Sequence, residues 1–162
     1  MRRPEFGLAE GRQVHLWLVR LEASEECFER ALHWLSPEEA ARAARFHFDK
    51  HRRAFVFGRA ALRGLLGGYL GMQPAELRFA YGPQGKPSLA GAKRPLRFNV
   101  SNSGNLAAYA FTLDCEIGVD VEQHRPLHDM QGIAERFFSP DETAELLEHP
   151  DAERTAAFFR CS

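Results

Sequence analysis

Cysteine is scarce in this chain. Cys27, Cys115 and Cys161 are the only three in 162 residues, scattered and with no C-x-x-C pair. That argues against a disulfide framework and a zinc ribbon, and it fits a reducing compartment. No apolar run is long enough to span a membrane. The opening MRRPEFGLAEG has two arginines but no apolar stretch behind them, so it does not read as a signal peptide. The cytoplasm is the expected location, with no membrane partner. Excess charge of either sign is also missing. The formal net charge is −1, so bulk electrostatics give no pull toward nucleic acid, and no nucleic-acid partner is expected. G-x-S-x-G, a Walker loop and G-x-G-x-x-G are all absent, which removes three common catalytic and nucleotide-binding signatures. With 44% hydrophobic and 27% charged residues, the chain reads as one globular domain or two small halves.

The most informative stretch is LRFNVSNSGNLAAYAFTLDCEIGVDVE, residues 96–122. Leu96, Phe98 and Val100 alternate with Arg97, Asn99 and Ser101, the period of a half-buried strand. Asn102 to Asn105 is a turn cluster, and Leu106 to Thr112 is a second strand. Ile117, Val119 and Val121 then alternate with Gly118, Asp120 and Glu122, which predicts a third. On a strand, Asp120 and Glu122 share a face at roughly 6–7 Å. They are either the solvated face of an edge strand or two hard oxygen ligands for Mg²⁺ held with a substrate phosphate.

Upstream, Gln13 to Leu21 reads as a strand with Val14, Leu16 and Leu18 set against His15 and Arg20. Trp17 and Val19 make the second face apolar too. Ser24 to Leu35 reads as a helix. Ser36-Pro37-Glu38-Glu39 is a capping box with proline at the first helical position. A long helix follows over about 52–70, with Arg52, Arg59 and Arg63 stacked on one flank. That flank is either solvated or an anion site, since guanidiniums suit phosphate. Gly64, Gly67 and Gly68 weaken this helix, or allow something to pack closely on it. Glu76 to Tyr81 alternates as a strand, and residues 82–87 form a rigid loop carrying Lys86 between Gly85 and Pro87. Downstream, residues 132–138 read as a helix. Ser139-Pro140-Asp141-Glu142 repeats the earlier capping box, which hints at two related halves. A further helix is expected over 151–160, and its unfinished apolar stripe reads as a chain cut short. The i, i+4 pairs His47/His51 and His124/His128 lack further ligands and do not make a zinc set.

Taken in order, the arginine-bearing helix, Gly85-Lys86-Pro87, Phe98–Ser103, Ile117–Glu122 and Ile133–Glu142 resemble the 4′-phosphopantetheinyl transferase superfamily, of the larger two-lobed kind. The resemblance implies an α+β fold of two pseudo-symmetric lobes, each an antiparallel sheet with packed helices. Residues 1–114 would form the N-terminal lobe and 115–162 an incomplete second lobe. It also implies transfer of the phosphopantetheine arm of coenzyme A to a serine of an apo acyl or peptidyl carrier protein, releasing 3′,5′-ADP. By the family pattern Asp120 and Glu122 would hold Mg²⁺. Gly85, Lys86 and Pro87 would line the nucleotide, with Ser101 and Asn102 near its phosphates. Arg53, or Arg52 beside it, would bind the 3′-phosphate. Glu142 would be the general base, although it is equally a capping-box residue.

Two departures stand out. Asn102 replaces the usual histidine, and the W-x-x-K-E motif does not follow Phe158–Cys161. A truncated homologue that binds coenzyme A or a partner without catalysis is therefore the alternative expectation. A metal nuclease or a simple phosphate-binding module is a third. An exposed sheet edge would invite association into a homo-oligomer.

Overall fold

The computed structural model describes residues 6–8, 13–81, 87–89, 96–113, 115–123, 130–150 and 153–154. The architecture is α+β, with helices packed on antiparallel sheet. The chain separates into two compact units, Met1–Val121 and Glu122–Ser162.

The first unit is built on a three-stranded antiparallel sheet in the order β1-β5-β4. Its strands are β1 (His15–Arg20), β4 (Leu96–Ser103) and β5 (Leu106–Leu113). The alternation read from residues 96–101 is what the sheet uses, since Leu96 and Phe98 are buried while Arg97 is exposed. The β4–β5 connection is shorter than the expected turn cluster. Asn102 and Ser103 belong to β4, and only Gly104 and Asn105 make the hairpin loop, with Gly104 at φ +60°.

The sheet's inner face carries α3 (Asp49–Leu70), a helix of 22 residues. Leu62, Leu66 and Tyr69 of α3 meet Phe98, Tyr109 and Phe111 of the sheet in the main core. The Tyr109 hydroxyl donates to the Gly58 carbonyl at 2.7 Å, so this tyrosine fills the core with its polar end satisfied. Against another side of α3 pack α1 (Glu25–Leu32) and α2 (Pro37–Ala44), whose Phe28, Ala31 and Ala43 form a second cluster with Val56 and Ala60. At the end of α3, Gly71 takes the left-handed conformation, φ +64°, and closes the helix.

Two expectations change. On β1 the inward face is His15, Trp17 and Val19, whereas Leu16 and Leu18 are about 60% exposed. The reason is polar as much as apolar. Trp17 donates its indole N–H to the Tyr69 oxygen at 2.8 Å, and His15 Nδ1 lies 2.8 Å from the same oxygen. The strand expected over 76–81 shortens to β2 (Phe79–Tyr81), preceded by a single 3-10 turn at Pro74–Glu76. Arg63 donates to the carbonyls of Pro74 and Leu77 at 2.8 and 3.0 Å, so those groups serve a side chain rather than a ladder. β2 pairs antiparallel with β3 (Pro87–Leu89), Tyr81 opposite Pro87. Gly85 and Lys86 lie outside the described residues, as do His124 and His128.

The glycines of α3 are packing sites. A Cβ on Gly64 would lie 2.8 Å from the Trp34 ring, and one on Gly67 would lie 2.7 Å from the Met72 carbonyl oxygen. At Gly68 the obstruction is the ring of Phe6.

In the second unit, α4 (Met130–Phe137) and α5 (Pro140–Glu148) pack together, with Ala134 and Leu146 buried. The Thr143 hydroxyl donates to the Ala134 carbonyl at 3.4 Å across the pair. Of the helix expected over 151–160, Glu153 and Arg154 are described, and both are helical.

The packing at Gly67 makes a test with a definite sign. Alanine raises intrinsic helix propensity by about 1 kcal/mol. Against a backbone oxygen that cannot step aside, overpacking costs about 1–3 kcal/mol. Gly67→Ala is therefore expected to destabilise the chain, read as a lower midpoint in urea unfolding.

Candidate functional site

The first unit holds a pocket of about 690 Å³ between the start of α2, the middle of α3 and residues 75–81. Its floor is ionic. Glu39 sits at the third position of α2 and completes the capping box, its Oε2 accepting from the Ser36 backbone N–H at 3.0 Å. The same oxygen accepts from Arg63 Nε at 2.7 Å. Both partners are buried, Arg63 at 1% and Glu39 at 5% exposure. Arg59, one turn before Arg63, brings its Nε to 3.4 Å from Glu39 Oε1. This second approach is an ion pair without a hydrogen bond. Glu39 Oε1 and Arg59 Nη1 are both buried and lack a hydrogen-bond partner among the described residues.

The walls are aromatic and cationic. Arg59 lies over Phe55, Phe79 and Tyr81 at 5.8, 5.5 and 6.0 Å from the ring centroids, and Arg63 lies 5.1 Å from Phe79. Arg42, Arg45 and Arg78 complete a set of five arginines that faces three glutamates, Glu38, Glu39 and Glu76. The pocket therefore carries net positive charge beside stacking surfaces. That combination suits a phosphate joined to a planar group.

The expected stack of Arg52, Arg59 and Arg63 divides. Arg59 and Arg63 converge on Glu39, whereas Arg52 lies over Phe28 at 5.1 Å and 3.7 Å from Asp49. Arg53 is engaged away from the pocket. It donates to Glu25 Oε2 at 2.6 Å and to the Ala23 carbonyl at 3.2 Å, with its guanidinium 4.6 Å from the Phe28 ring. It also borders a second hollow of about 320 Å³, with Lys50, Asp49 and Asn105. The sequence marks Glu39 only as a capping residue and does not mark Arg42. The available signal was Arg63 itself, placed among the apolar positions of α3, where an ion must have a buried partner.

A second group forms along the outward side chains of β4. Ser101 donates its hydroxyl to Asp120 Oδ1 at 2.6 Å and accepts from the Val121 backbone N–H at 3.2 Å. Asn99 Oδ1 accepts from the Val119 N–H at 3.3 Å. Arg97 pairs with Glu116 at 3.8 Å, both exposed. Residues 117–121 are thus extended beside β4, hung on side chains rather than paired by a backbone ladder, and the strand expected there does not form among the described residues. The alternation survives nevertheless, with Ile117, Val119 and Val121 partly buried and Gly118 and Asp120 exposed. Ser101 and Asn102, neighbours on a strand, project to opposite faces. Glu122 is exposed and opens the second unit.

Among the described residues no group of three or more His, Cys, Asp and Glu side chains could hold a metal ion. Asp120 and Glu122 are each exposed carboxylates, the hard oxygen donors that Mg²⁺ takes together with substrate phosphates. Glu142 repeats in α5 what Glu39 does in α2. Its Oε2 accepts from the Ser139 N–H at 2.8 Å, and its own N–H donates to Ser139 Oγ at 3.3 Å. The backbone hydrogen bond from Ser139, then the side-chain one, holds the Glu142 carboxyl below the ordinary glutamate value.

Fold and side chains together define an α+β protein with a cationic pocket and a serine-anchored carboxylate, a combination suited to handling phosphate esters. The family model for 4′-phosphopantetheinyl transferase, N-terminal, matches residues 20–113, and that for the 4′-phosphopantetheinyl transferase superfamily matches residues 116–161. The chain belongs to the 4′-phosphopantetheinyl transferase superfamily. It is 43% identical over 150 residues to the 4′-phosphopantetheinyl transferase HetI of Nostoc sp., covering 91% of this chain and 63% of that protein. It is 29% identical over 136 residues to the 4′-phosphopantetheinyl transferase Sfp of Bacillus subtilis, covering 84% and 59%. The chain thus spans rather more than half the length of these relatives. No helix among the described residues is long and apolar enough to cross a membrane.

The Glu142 cap sets a pH dependence. A folded-state pKa below the unfolded one stabilises above the ordinary glutamate value, and that contribution is lost as pH falls through the lowered value. The helical signal of the wild-type chain should therefore melt at lower temperature as pH drops through the glutamate range. Glu142→Gln, which cannot ionise, should show a shallower decline in thermal scans followed by circular dichroism.

Proposed function

We propose that this chain takes coenzyme A with its phosphoadenosine end in the arginine pocket of the first unit. With Mg²⁺, it then transfers the phosphopantetheine arm to a serine of an apo carrier protein. The observation that carries this reading is the pocket itself. Family membership calls for an anionic, aromatic substrate, and the hollow of about 690 Å³ in the first unit joins guanidiniums to three aromatic rings. The net charge of the chain is −1, so this local cationic excess is a feature of placement rather than of composition. Arg42, Arg45, Arg59 and Arg78 are the residues assigned to the phosphates, with Phe55, Phe79 and Tyr81 beside the base. Gly85, Lys86 and Pro87 remain assigned to the nucleotide by the family pattern, with Pro87 facing Tyr81 in the β2–β3 pair. Arg53, occupied by Glu25, is assigned at most the edge of the bound molecule.

In the reaction, the serine oxygen forms a new bond to the phosphorus that bears the pantetheine arm. The bond from that phosphorus to the bridging oxygen breaks, 3′,5′-ADP leaves with the bonding pair, and the serine proton passes to a base. Negative charge rises on the bridging oxygen, so catalysis depends on placing positive charge there before the bond breaks. By the family pattern Asp120 and Glu122 would hold Mg²⁺, which would supply that neutralisation. Ser101 fixes the Asp120 carboxylate through its 2.6 Å hydrogen bond, which orients the oxygens before a cation arrives. Asn102 offers hydrogen bonds without charge. Glu142 is the candidate base. Its lowered pKa keeps it ionised and ready to accept, although its capping bonds also make it a weak base.

Incubation of an apo carrier protein with this chain, coenzyme A and Mg²⁺ tests the proposal by intact mass. Addition of one phosphopantetheine is expected. Asp120→Ala should reduce the rate at least about a hundredfold, as loss of a metal ligand does. Coenzyme A binding without mass gain would restrict the function to binding. Absence of both would remove the proposal.

A further inference from the structure

Glu39 is the one acidic side chain among the described residues that is buried, and it lies in the floor of a pocket whose remaining charges are mostly positive. Its two oxygens have different duties. Oε2 is committed to the Ser36 N–H and to Arg63, which makes Arg63 part of the framework. Oε1 faces Arg59 at 3.4 Å, yet neither it nor Arg59 Nη1 completes a hydrogen bond. The Arg59 side chain nevertheless keeps 13% exposure and lines the pocket, so an anionic oxygen entering there meets the same guanidinium. Glu39 already partly neutralises the same guanidinium. The carboxylate and an incoming phosphate therefore compete for Arg59.

We propose that Glu39 is a positioning residue that sets how tightly the pocket holds a phosphate. Through Oε2 it fixes the pocket's framework, and through Oε1 it weakens the pull of Arg59 on the ligand. The pocket is held below the affinity its arginines could reach. For a transferase this has a use, because the nucleotide left in the pocket is a product that must depart before the next turnover. The inference rests on the reading of the pocket as the site of the nucleotide phosphates.

The test is calorimetric titration with adenosine 3′,5′-bisphosphate. Arg59→Ala should bind more weakly than wild type, which checks the pocket. Glu39→Gln keeps the acceptor for Ser36 and Arg63 but removes the charge. It is expected to bind about tenfold more tightly, a gain that shrinks as salt is raised. Glu39→Asp keeps the charge but withdraws it from Arg59, so a smaller gain of about twofold is expected. Structural damage alone weakens binding, so a gain in affinity separates positioning from folding. Unchanged or weaker binding in the glutamine variant, with Arg59→Ala also weaker, overturns the role of Glu39 and leaves the pocket standing. Should the glutamine variant not fold, the aspartate variant decides, and no gain overturns the proposal. Binding that is indifferent to Arg59→Ala removes the pocket reading itself, and the inference with it.

Discussion

The Glu39–Arg63 ion pair is the contact on which the first unit depends. One carboxylate closes the cap of α2, neutralises a guanidinium inside α3 and, through that guanidinium, pins the carbonyls of Pro74 and Leu77. Three segments that share no backbone ladder are thereby joined at one point. Removal of one partner from a buried pair costs about 3–5 kcal/mol, because the other is left as an uncompensated ion. A hydrophobic pair of the same volume could support the fold equally well. It could not also set a carboxylate oxygen 3.4 Å from Arg59 at the pocket floor.

Much of the fold was legible because it rests on short-range rules. Alternation over residues 96–101 gave the inner face of β4, and the two Ser-Pro-acid-Glu boxes gave the starts of α2 and α5 to the residue. What was not legible depends on partners distant in sequence. Glu39 and Arg63 are 24 residues apart, and neither position announces the other. Both faces of β1 read as apolar in the sequence, through Leu16 and Leu18 on one and Trp17 and Val19 on the other, so alternation does not say which one is covered. A hydroxyl 52 residues away, on Tyr69, decides the matter. The order of motifs from residues 85 to 142 carried the family. The arginine pocket was half visible, as a stripe on a helix, but its walls come from elements that only folding brings together.

The two capping boxes show how one local sequence serves two chemistries. In both, serine and glutamate exchange hydrogen bonds across three residues. Glu39 itself is buried against two arginines, and its carboxylate becomes an element of a charged floor. Around Glu142 it is exposed, and water competes for every bond. The difference lies in what packs against the cap, so the motif alone does not report whether its glutamate is structural or chemical.

The hold on residues 117–121 differs in kind from the rest of the sheet. β4 and β5 are laced by a full antiparallel ladder, whereas Val119 and Val121 hang from single side-chain oxygens on Asn99 and Ser101. Their amides can therefore open to solvent without any strand separating, and hydrogen exchange there is governed by local release rather than by global unfolding. Asp120 rides on that latch. Ser101 holds the carboxylate in register when the latch is shut, whereas Arg59 and Arg63 project from the 22-residue helix α3, whose own backbone bonds hold them.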